Sequence, residues 1–156
     1  MIVCATGHRP DKLGGYGLHV ESKLKRLAFT WLKEHRPNKA ISGMALGWDQ
    51  AFAQAALELE IPLIAAVPFL GQERAWPQSS QEKWKTILDR AEEVVTVSTG
   101  GYAVWKMQKR NEWMVDQSDR VLALWDGSSG GTGNCITYAD KMSRPISNLW
   151  TKWLEV

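Results

Sequence analysis

The strongest constraint on the fold is the alternation, along the chain, of short apolar runs with segments of helical periodicity. The apolar runs have lengths typical of β-strands and are bounded by turn-forming residues. They occupy residues 2–6, 39–42, 61–67, 94–97, 120–125 and 145–149. The segments between them predict helices that include residues 24–32, 48–59, 82–91, 103–117 and 135–142.

This order of elements predicts one α/β domain over residues 1–156. Strands that alternate with helices favour a parallel sheet, and strands that are apolar along their length are typical of strands buried on both faces. We therefore expect a doubly wound, mainly parallel sheet with helices on both faces. A chain of 156 residues is long enough to bury a core and fits a single domain.

Composition and charge restrict the class of partner. The chain is 44% hydrophobic and 23% charged, with a formal net charge of +2, as is typical of a globular protein. The absence of a basic stripe argues against nucleic acid. No apolar run reaches the length of a membrane span, and the first residues do not resemble a signal peptide, so we expect a cytoplasmic protein. Two cysteines make neither a disulfide framework nor a metal site, and no cofactor is expected.

The most distinctive loop of the sequence is rich in glycine. The apolar residues 121–124 lead into small residues at 126–134, and a predicted helix follows. A strand, a glycine-rich loop and a helix start together present free backbone N–H groups to a phosphate. An ordinary flexible turn is the alternative, because glycine and serine also mark turns. The candidate ligand-binding residues here are Asp126, Gly130, Gly131, Thr132, Gly133 and Asn134.

Three further loops are expected at the same edge of the sheet. In a parallel sheet the strand-to-helix loops meet beyond the carboxyl ends of the strands, where ligands bind at the point of strand-order reversal. Arginine in such a loop suits recognition of a phosphate or carboxylate. For the first loop, a solvated segment closed by Pro10 is the alternative. These loops contribute the candidate ligand-binding residues Gly7, His8, Arg9, Ser42, Gly43, Met44 and Phe69.

Two charged residues in predicted helices complete the candidate site. Asp49 falls in a first helical turn, where a carboxylate can bind a ribose hydroxyl, act as an acid or base, or only favour the helix start. Arg110 shares a helix face with two methionines, and a cation there either pairs with Asp119 or Asp126 or points into a ligand cleft. We favour the cleft, and we include the neighbouring Asn111 in the candidate ligand-binding set.

Several motifs, in order along the chain, resemble the SLOG superfamily. They begin with Met107, Arg110 and Asn111 in one helix and end with Gly-Gly-Thr-Gly at 130–133. The superfamily includes the LOG (lysine-decarboxylase-like) phosphoribohydrolases and DprA. Within it, the YpsA-like family is resembled by Gly-His-Arg-Pro at 7–10, Ser-Gly-Met-Ala at 42–45 and Val-Pro-Phe at 67–69. The resemblance implies a Rossmann-like fold that binds a nucleotide or a nucleotide-derived ligand.

The chain departs from the LOG hydrolase motif at two places. In the LOG enzymes the glycine loop ends in an acid, and a lysine follows the arginine of the preceding helix. Here the loop continues through Asn-Cys-Ile at 134–136, and Asn111 stands in place of the lysine. Hydrolysis by the family's own residues is therefore not expected. Asp49 or Asp126 would have to replace the missing carboxylate.

Three functions are compatible with these observations, and a fourth, binding of single-stranded DNA, ranks below them. The first is binding of a nucleotide or an ADP-ribose-like ligand, as a sensor or sequestering protein. The second is hydrolysis of the N-glycosidic bond of a nucleoside phosphate, with Asp49 or Asp126 as the acid or base. Binding of single-stranded DNA, as in DprA, ranks lower because such grooves are basic. The third is a homo-oligomeric interaction module, because aromatic residues are enriched at interfaces; its candidates are Trp76, Trp105, Trp113, Trp150 and Trp153.

Overall fold

A computed structural model describes all 156 residues. The strands are β1 (Ile2–Gly7), β2 (Lys39–Ser42), β3 (Leu63–Val67), β4 (Glu93–Thr96), β5 (Arg120–Leu124) and β6 (Ile146–Asn148). The α-helices are α1 (Leu18–His35), α2 (Trp48–Glu58), α3 (Gln78–Arg90), α4 (Val104–Asp116), α5 (Gly131–Lys141) and α6 (Trp150–Glu155). A short 3-10 turn, Pro10–Lys12, follows β1.

The six strands form one sheet in the order β4-β3-β2-β1-β5-β6, and every pairing is parallel. The chain first adds strands outward from β1 to β4 and then returns to place β5 on the other side of β1. The strand order therefore reverses between β1 and β5, where a doubly wound sheet opens a crevice. The predicted fold class is confirmed.

Two hydrophobic cores lie on the two faces of the sheet, because successive residues of a strand point to opposite faces. Val3 and Ala5 of β1 join the larger core, which α1, α2, α3 and α6 cover, and the fully buried Trp48 is its largest side chain. Cys4 joins the smaller core, which includes Met114 of α4 and residues of α5. None of the helices combines the length and apolarity needed to cross a bilayer.

Helix boundaries differ from the sequence prediction in three places. α5 begins at Gly131 rather than at residue 135, so Gly131, Thr132, Gly133 and Asn134, which were predicted as loop, belong to its first turn. Glycine has a low helix propensity, and tertiary contacts override it here. α3 begins at Gln78 instead of residue 82, and α6 was not predicted because six residues carry too little periodicity.

The expectation that the strands are buried on both faces fails at the edge of the sheet. β4 pairs only with β3, and its residues are mostly exposed; Val94, for example, remains accessible to solvent. An apolar run of this length does not distinguish a central strand from an edge strand. The position in the sheet order decides the burial, and that order is a property of the whole chain.

Candidate functional site

A cleft of about 620 Å³ opens beyond the carboxyl ends of the strands. Its volume lies within the range of small-molecule sites in proteins. The loops that follow β1, β3, β4 and β5 contribute to its walls, together with the start of α2 and one face of α4. The predicted residues that line it are Gly7, His8, Arg9, Asp49, Phe69, Arg110, Asn111, Gly130, Gly131, Thr132 and Gly133.

Five predicted residues do not line the cleft: Ser42, Gly43, Met44, Asp126 and Asn134. Ser42 shows what such a residue does instead. Its buried hydroxyl donates to the carbonyl oxygen of Asp49 at 2.8 Å and accepts the N–H of Met44 at 3.2 Å. The serine therefore holds the turn between β2 and α2 in shape and so positions Asp49 at the cleft.

Two of the predicted glycines are required by packing within the protein. A Cβ at Gly7 would lie 2.4 Å from Cδ1 of Trp48, and a Cβ at Gly43 would lie 2.7 Å from Nη1 of Arg110. Neither distance is sterically possible without a rearrangement. The close approach that we expected between Gly43 and a ligand is made in this structure by the guanidinium of Arg110.

The start of α5 presents free backbone N–H groups to the cleft. The first helical hydrogen bond runs from the N–H of Asn134 to the carbonyl of Gly130 at 2.9 Å. The N–H groups of Gly131, Thr132 and Gly133 precede it and have no helical partner. No side chain caps this helix, and its first turn holds no acidic residue. A Cβ at Gly130 or Gly131 would meet nothing within 4 Å, so the space in front of the helix is open.

Basic side chains stand around this helix start. Arg9 and Lys12 both line the cleft, and Nζ of Lys12 donates to Oγ of Ser128 at 2.8 Å. Asp11 lies between them in sequence and also lines the cleft, so the rim is not uniformly positive. The positive end of the α5 dipole adds to the field of the two cations. This corner of the cleft therefore favours an anion.

Asp126 shapes the loop before α5. Its Oδ1 accepts the backbone N–H of Ser128 at 2.9 Å and the hydroxyl of the same serine, and it lies 2.8 Å from Nε2 of His8. The hydrogen bonds from Ser128 hold the pKa of this carboxyl well below its usual range, with His8 contributing in the same direction. A group that stays ionised near neutral pH is a poor general acid. These contacts make Asp126 a support of the loop, and a catalytic role for it stays a prediction.

Arg110 points into the cleft from α4 and forms neither of the two ion pairs considered for it. The guanidinium is buried, and it donates through Nη1 to the carbonyl of Gly43 and through Nε to Oδ1 of Asn111. Asp119 instead accepts a backbone N–H of β1 at 2.7 Å, and Asp126 is held by its own loop. Arg110 is among the residues that line the cleft.

Asp49 carries the one carboxylate oxygen of the cleft that is buried without a partner. The residue is 5% exposed, and its Oδ2 accepts the N–H of Ala45 at 3.3 Å. Its Oδ1 has no hydrogen-bond partner. Burial raises the pKa of this carboxyl to about 6, although the nearby guanidinium of Arg110 opposes the shift. A buried polar atom without a partner is rare in proteins, and at the wall of a cleft it is available to a ligand.

Aromatic residues from the loops after β3 and β4 also line the cleft. Phe69 was predicted, whereas Trp76 and Tyr102 were not predicted as ligand-binding residues. They lie in the loops after β3 and β4, so the rule that located the other loops would have included them had it been applied to every strand. The residues of the cleft that our sequence reasoning did not select also include Lys12, Gln72, Met107 and Ser128.

The five tryptophans proposed for an oligomer interface do not form one surface. Trp153 is buried in the larger core and Trp150 packs against that core, whereas Trp113 packs against the core on the opposite face of the sheet. Trp76 lines the cleft, and Trp105 is exposed. These positions contradict a single aromatic patch, because α4 and α6 lie on opposite faces of the sheet.

A potential nucleophile, Cys135, follows the glycine loop but does not line the cleft. Cys135 is fully buried, and burial raises the pKa of its thiol to about 11. The thiol is therefore neutral at physiological pH, and only the thiolate is strongly nucleophilic. No group of three or more His, Cys, Asp or Glu side chains is arranged to hold a metal ion.

The parallel sheet, the reversal between β1 and β5 and the cleft at that reversal define a Rossmann-like α/β protein. The chain belongs to the YspA SLOG family, whose sequence model (YpsA) matches residues 3–147. The resemblance to the SLOG superfamily and to its YpsA-like family is thereby confirmed.

Two proteins of Bacillus species are relatives of this chain. The uncharacterized SPbeta prophage-derived protein YoqJ of Bacillus subtilis (strain 168) is 33% identical over 140 residues, covering 80% of this chain and 82% of YoqJ. A UPF0398 protein of Bacillus thuringiensis (strain Al Hakam) is 26% identical over 158 residues, covering 94% of this chain and 86% of its own. Their names assign no activity.

Solved structures with this fold bind different ligands. DNA processing protein A from Helicobacter pylori, described with a single-stranded DNA binding mode, matches with a TM-score of 0.68 at 18% identity; the match covers 95% of this chain but only 64% of that protein. The molybdenum cofactor binding protein of Rippkaea orientalis matches with a TM-score of 0.61 at 17% identity, covering 94% and 74%. At these identities the matches show the fold alone. The expectation that nucleic acid is an unlikely partner finds no support among these neighbours.

Proposed function

We propose that the cleft binds a nucleotide or a nucleotide-derived ligand, with a phosphate at the start of α5. The observation that carries the proposal is the uncapped helix start, where the N–H groups of Gly131, Thr132 and Gly133 have no helical partner and the space beside Gly130 and Gly131 is open. Such a helix start binds phosphate through its N–H groups and its dipole. Arg9 and Lys12 supply positive charge beside it.

The rest of the cleft supports a ligand that is larger than phosphate. The unpartnered Oδ1 of Asp49 can accept a hydrogen bond from a sugar hydroxyl. The volume of about 620 Å³ is much larger than one phosphate requires. A protein that binds such a ligand without converting it would act as a sensor or a sequestering protein.

The test places a carboxylate at the helix start. We expect Thr132→Glu to abolish binding of ADP and ADP-ribose in a calorimetric titration, because the new charge takes the place of the phosphate. The same charge is favourable at a helix N-terminus, so the variant should fold as stably as the wild type. Thr137→Glu is the matched control, since Thr137 is exposed in the same helix beyond its first turn. Full ADP affinity in Thr132→Glu would contradict the proposal.

Hydrolysis of an N-glycosidic bond is the second candidate, and the state of Asp49 favours it. A carboxyl with a pKa of about 6 at the wall of the cleft can release or accept a proton near neutral pH. The measurement is the release of free base from nucleoside monophosphates, which chromatography detects. Release that disappears in Asp49→Asn would establish the hydrolase; binding without release in the wild type would leave a binding protein.

A further inference from the structure

Two aromatic side chains line the cleft from loops whose strands are distant, in the sheet order, from β5, the strand that precedes α5. Trp76, in the loop after β3, and Tyr102, in the loop after β4, both line the cleft. In the sheet order, β3 and β4 stand three and four positions from β5, which corresponds to about 14–19 Å at the usual strand spacing. A ligand that contacts both ends of the cleft is therefore elongated.

The ring of Tyr102 is exposed but held in place. It is 70% exposed, and it stands edge-on to the buried ring of Phe69, with 5.7 Å between the ring centroids and an interplanar angle of 85°. Lys106 fixes the loop that precedes it, because its Nζ donates to the carbonyl oxygens of Thr99 and Gly101 at 2.6 Å each. A ring that is already positioned loses little conformational entropy when a ligand stacks on it.

Trp76 is held by a turn of its own loop. Its backbone N–H donates to the carbonyl of Glu73 at 3.0 Å, and its carbonyl accepts from Nε2 of Gln81 at 2.9 Å. The side chain is half-buried, so part of the indole ring faces the cleft. Two aromatic rings on two separately braced loops thus line the end of the cleft that lies away from the anion-binding corner.

We propose that Trp76 and Tyr102 form a stacking site for a planar heterocyclic base. This inference rests on the proposed function, since the phosphate at α5 places the other end of the ligand. The ligand class is then a molecule with an aromatic base at one end and a phosphate at the other. Stacking tolerates any base, because every base has a π-face. The site therefore selects for the presence of a base and leaves its identity to other contacts.

The experiment compares a probe with a base and a probe without one. ADP and ribose 5-phosphate are titrated calorimetrically into the wild type, Trp76→Leu, Tyr102→Leu and Tyr102→Phe. We expect each leucine variant to lose about tenfold in ADP affinity, in line with the usual effect of removing a stacked ring. Ribose 5-phosphate affinity should stay unchanged, and Tyr102→Phe should bind ADP as the wild type does.

Matched controls remove an exposed aromatic ring outside the cleft. Tyr16→Leu and Trp105→Leu do so, since both residues are 58% exposed and neither lines the cleft. Both should bind ADP with wild-type affinity.

Three results would overturn the stacking site. Unchanged ADP affinity in both cleft variants, with binding still lost in Thr132→Glu, would remove the stacking site and leave the phosphate site intact. Equal losses for ADP and ribose 5-phosphate would show a general disturbance of the cleft. Failure of ADP and other nucleotides to bind the wild type would refute the proposed function and the stacking site together.

Discussion

Asp49 is the residue whose environment most clearly destabilises the folded protein. Ser42 and Ala45 hold the turn around it, yet one carboxylate oxygen is buried without a partner. Burial raises its pKa from 3.8 to about 6, so ionisation opposes folding. A cost of this kind at a cleft is typical of a functional position. The ionised carboxylate can accept a hydrogen bond from a ligand hydroxyl, which would supply the missing partner.

Replacement of Asp49 by asparagine is expected to change the pH dependence of stability. Well below pH 3.8 the carboxyl is protonated in both states and contributes no pH-dependent penalty. Above pH 6 it is ionised in both states, and the shift of its pKa lowers the free energy of unfolding by about 3 kcal/mol. The stability of Asp49→Asn relative to the wild type should therefore rise by up to that amount between pH 4 and pH 8.

Urea unfolding at pH 4, 6 and 8 measures this difference. Asp140→Asn is a suitable control, because Asp140 is exposed near the end of α5 and lies outside the cleft. A wild-type pH profile in Asp49→Asn would contradict the assigned environment of the carboxyl.

At the scale of elements, α5 begins four residues before its expected start. Glycine residues are typical of loops, so the strand-loop-helix pattern predicted the segment after β5 but placed the helix start four residues late. The helix begins at Gly131, whose carbonyl accepts from Nδ2 of Asn111 on α4 at 3.4 Å. A contact between two helices that are distant in sequence is not encoded in local propensity.

Gly131→Ala is expected to raise the stability of the protein and to lower its affinity for ADP. The backbone of Gly131 is not in the left-handed region, and a Cβ there meets nothing within 4 Å. We expect the free energy of unfolding to rise by about 0.4–1 kcal/mol, because alanine loses less entropy in a helix. ADP affinity should fall, since the methyl group enters the space in front of the helix. Denaturant unfolding and calorimetry measure the two effects.

A glycine elsewhere provides the comparison for this substitution. Gly17 also has free space around its Cβ position but lies outside the cleft, before α1. Gly17→Ala should leave ADP affinity unchanged. An unaltered affinity in Gly131→Ala would show that the ligand does not occupy the start of α5.

At the scale of the whole molecule, α6 completes the larger core after the last strand. Trp153 is 6% exposed within that core, and Nζ of Lys23 from α1 lies 4.0 Å from the centroid of its ring. The C-terminal segment therefore closes the same core that α1 and α2 form near the N-terminus. No local pattern predicted this helix, because its reason for forming is a surface built by the rest of the chain.

Trp153→Ala should cost about 3–5 kcal/mol in the free energy of unfolding, as large-to-small replacements of buried aromatic residues do. Urea unfolding measures the loss. The neighbouring Leu154 is 66% exposed, so Leu154→Ala should change stability by less than about 0.5 kcal/mol. Equal effects of the two substitutions would contradict the packing of α6 against the core.

The sequence by itself determined the order of the six strands and of helices α1 to α5, the parallel sheet and the edge at which the cleft opens. These follow from apolar runs and from the geometry of parallel sheets, which are local patterns or general rules. Only the tertiary structure decided that Gly7 makes room for Trp48 and that Asp49 keeps an unpartnered oxygen. It also brought Trp76 and Tyr102 into one cleft. Burial and pairing depend on contacts between segments that are far apart in the chain, and no local pattern contains that information.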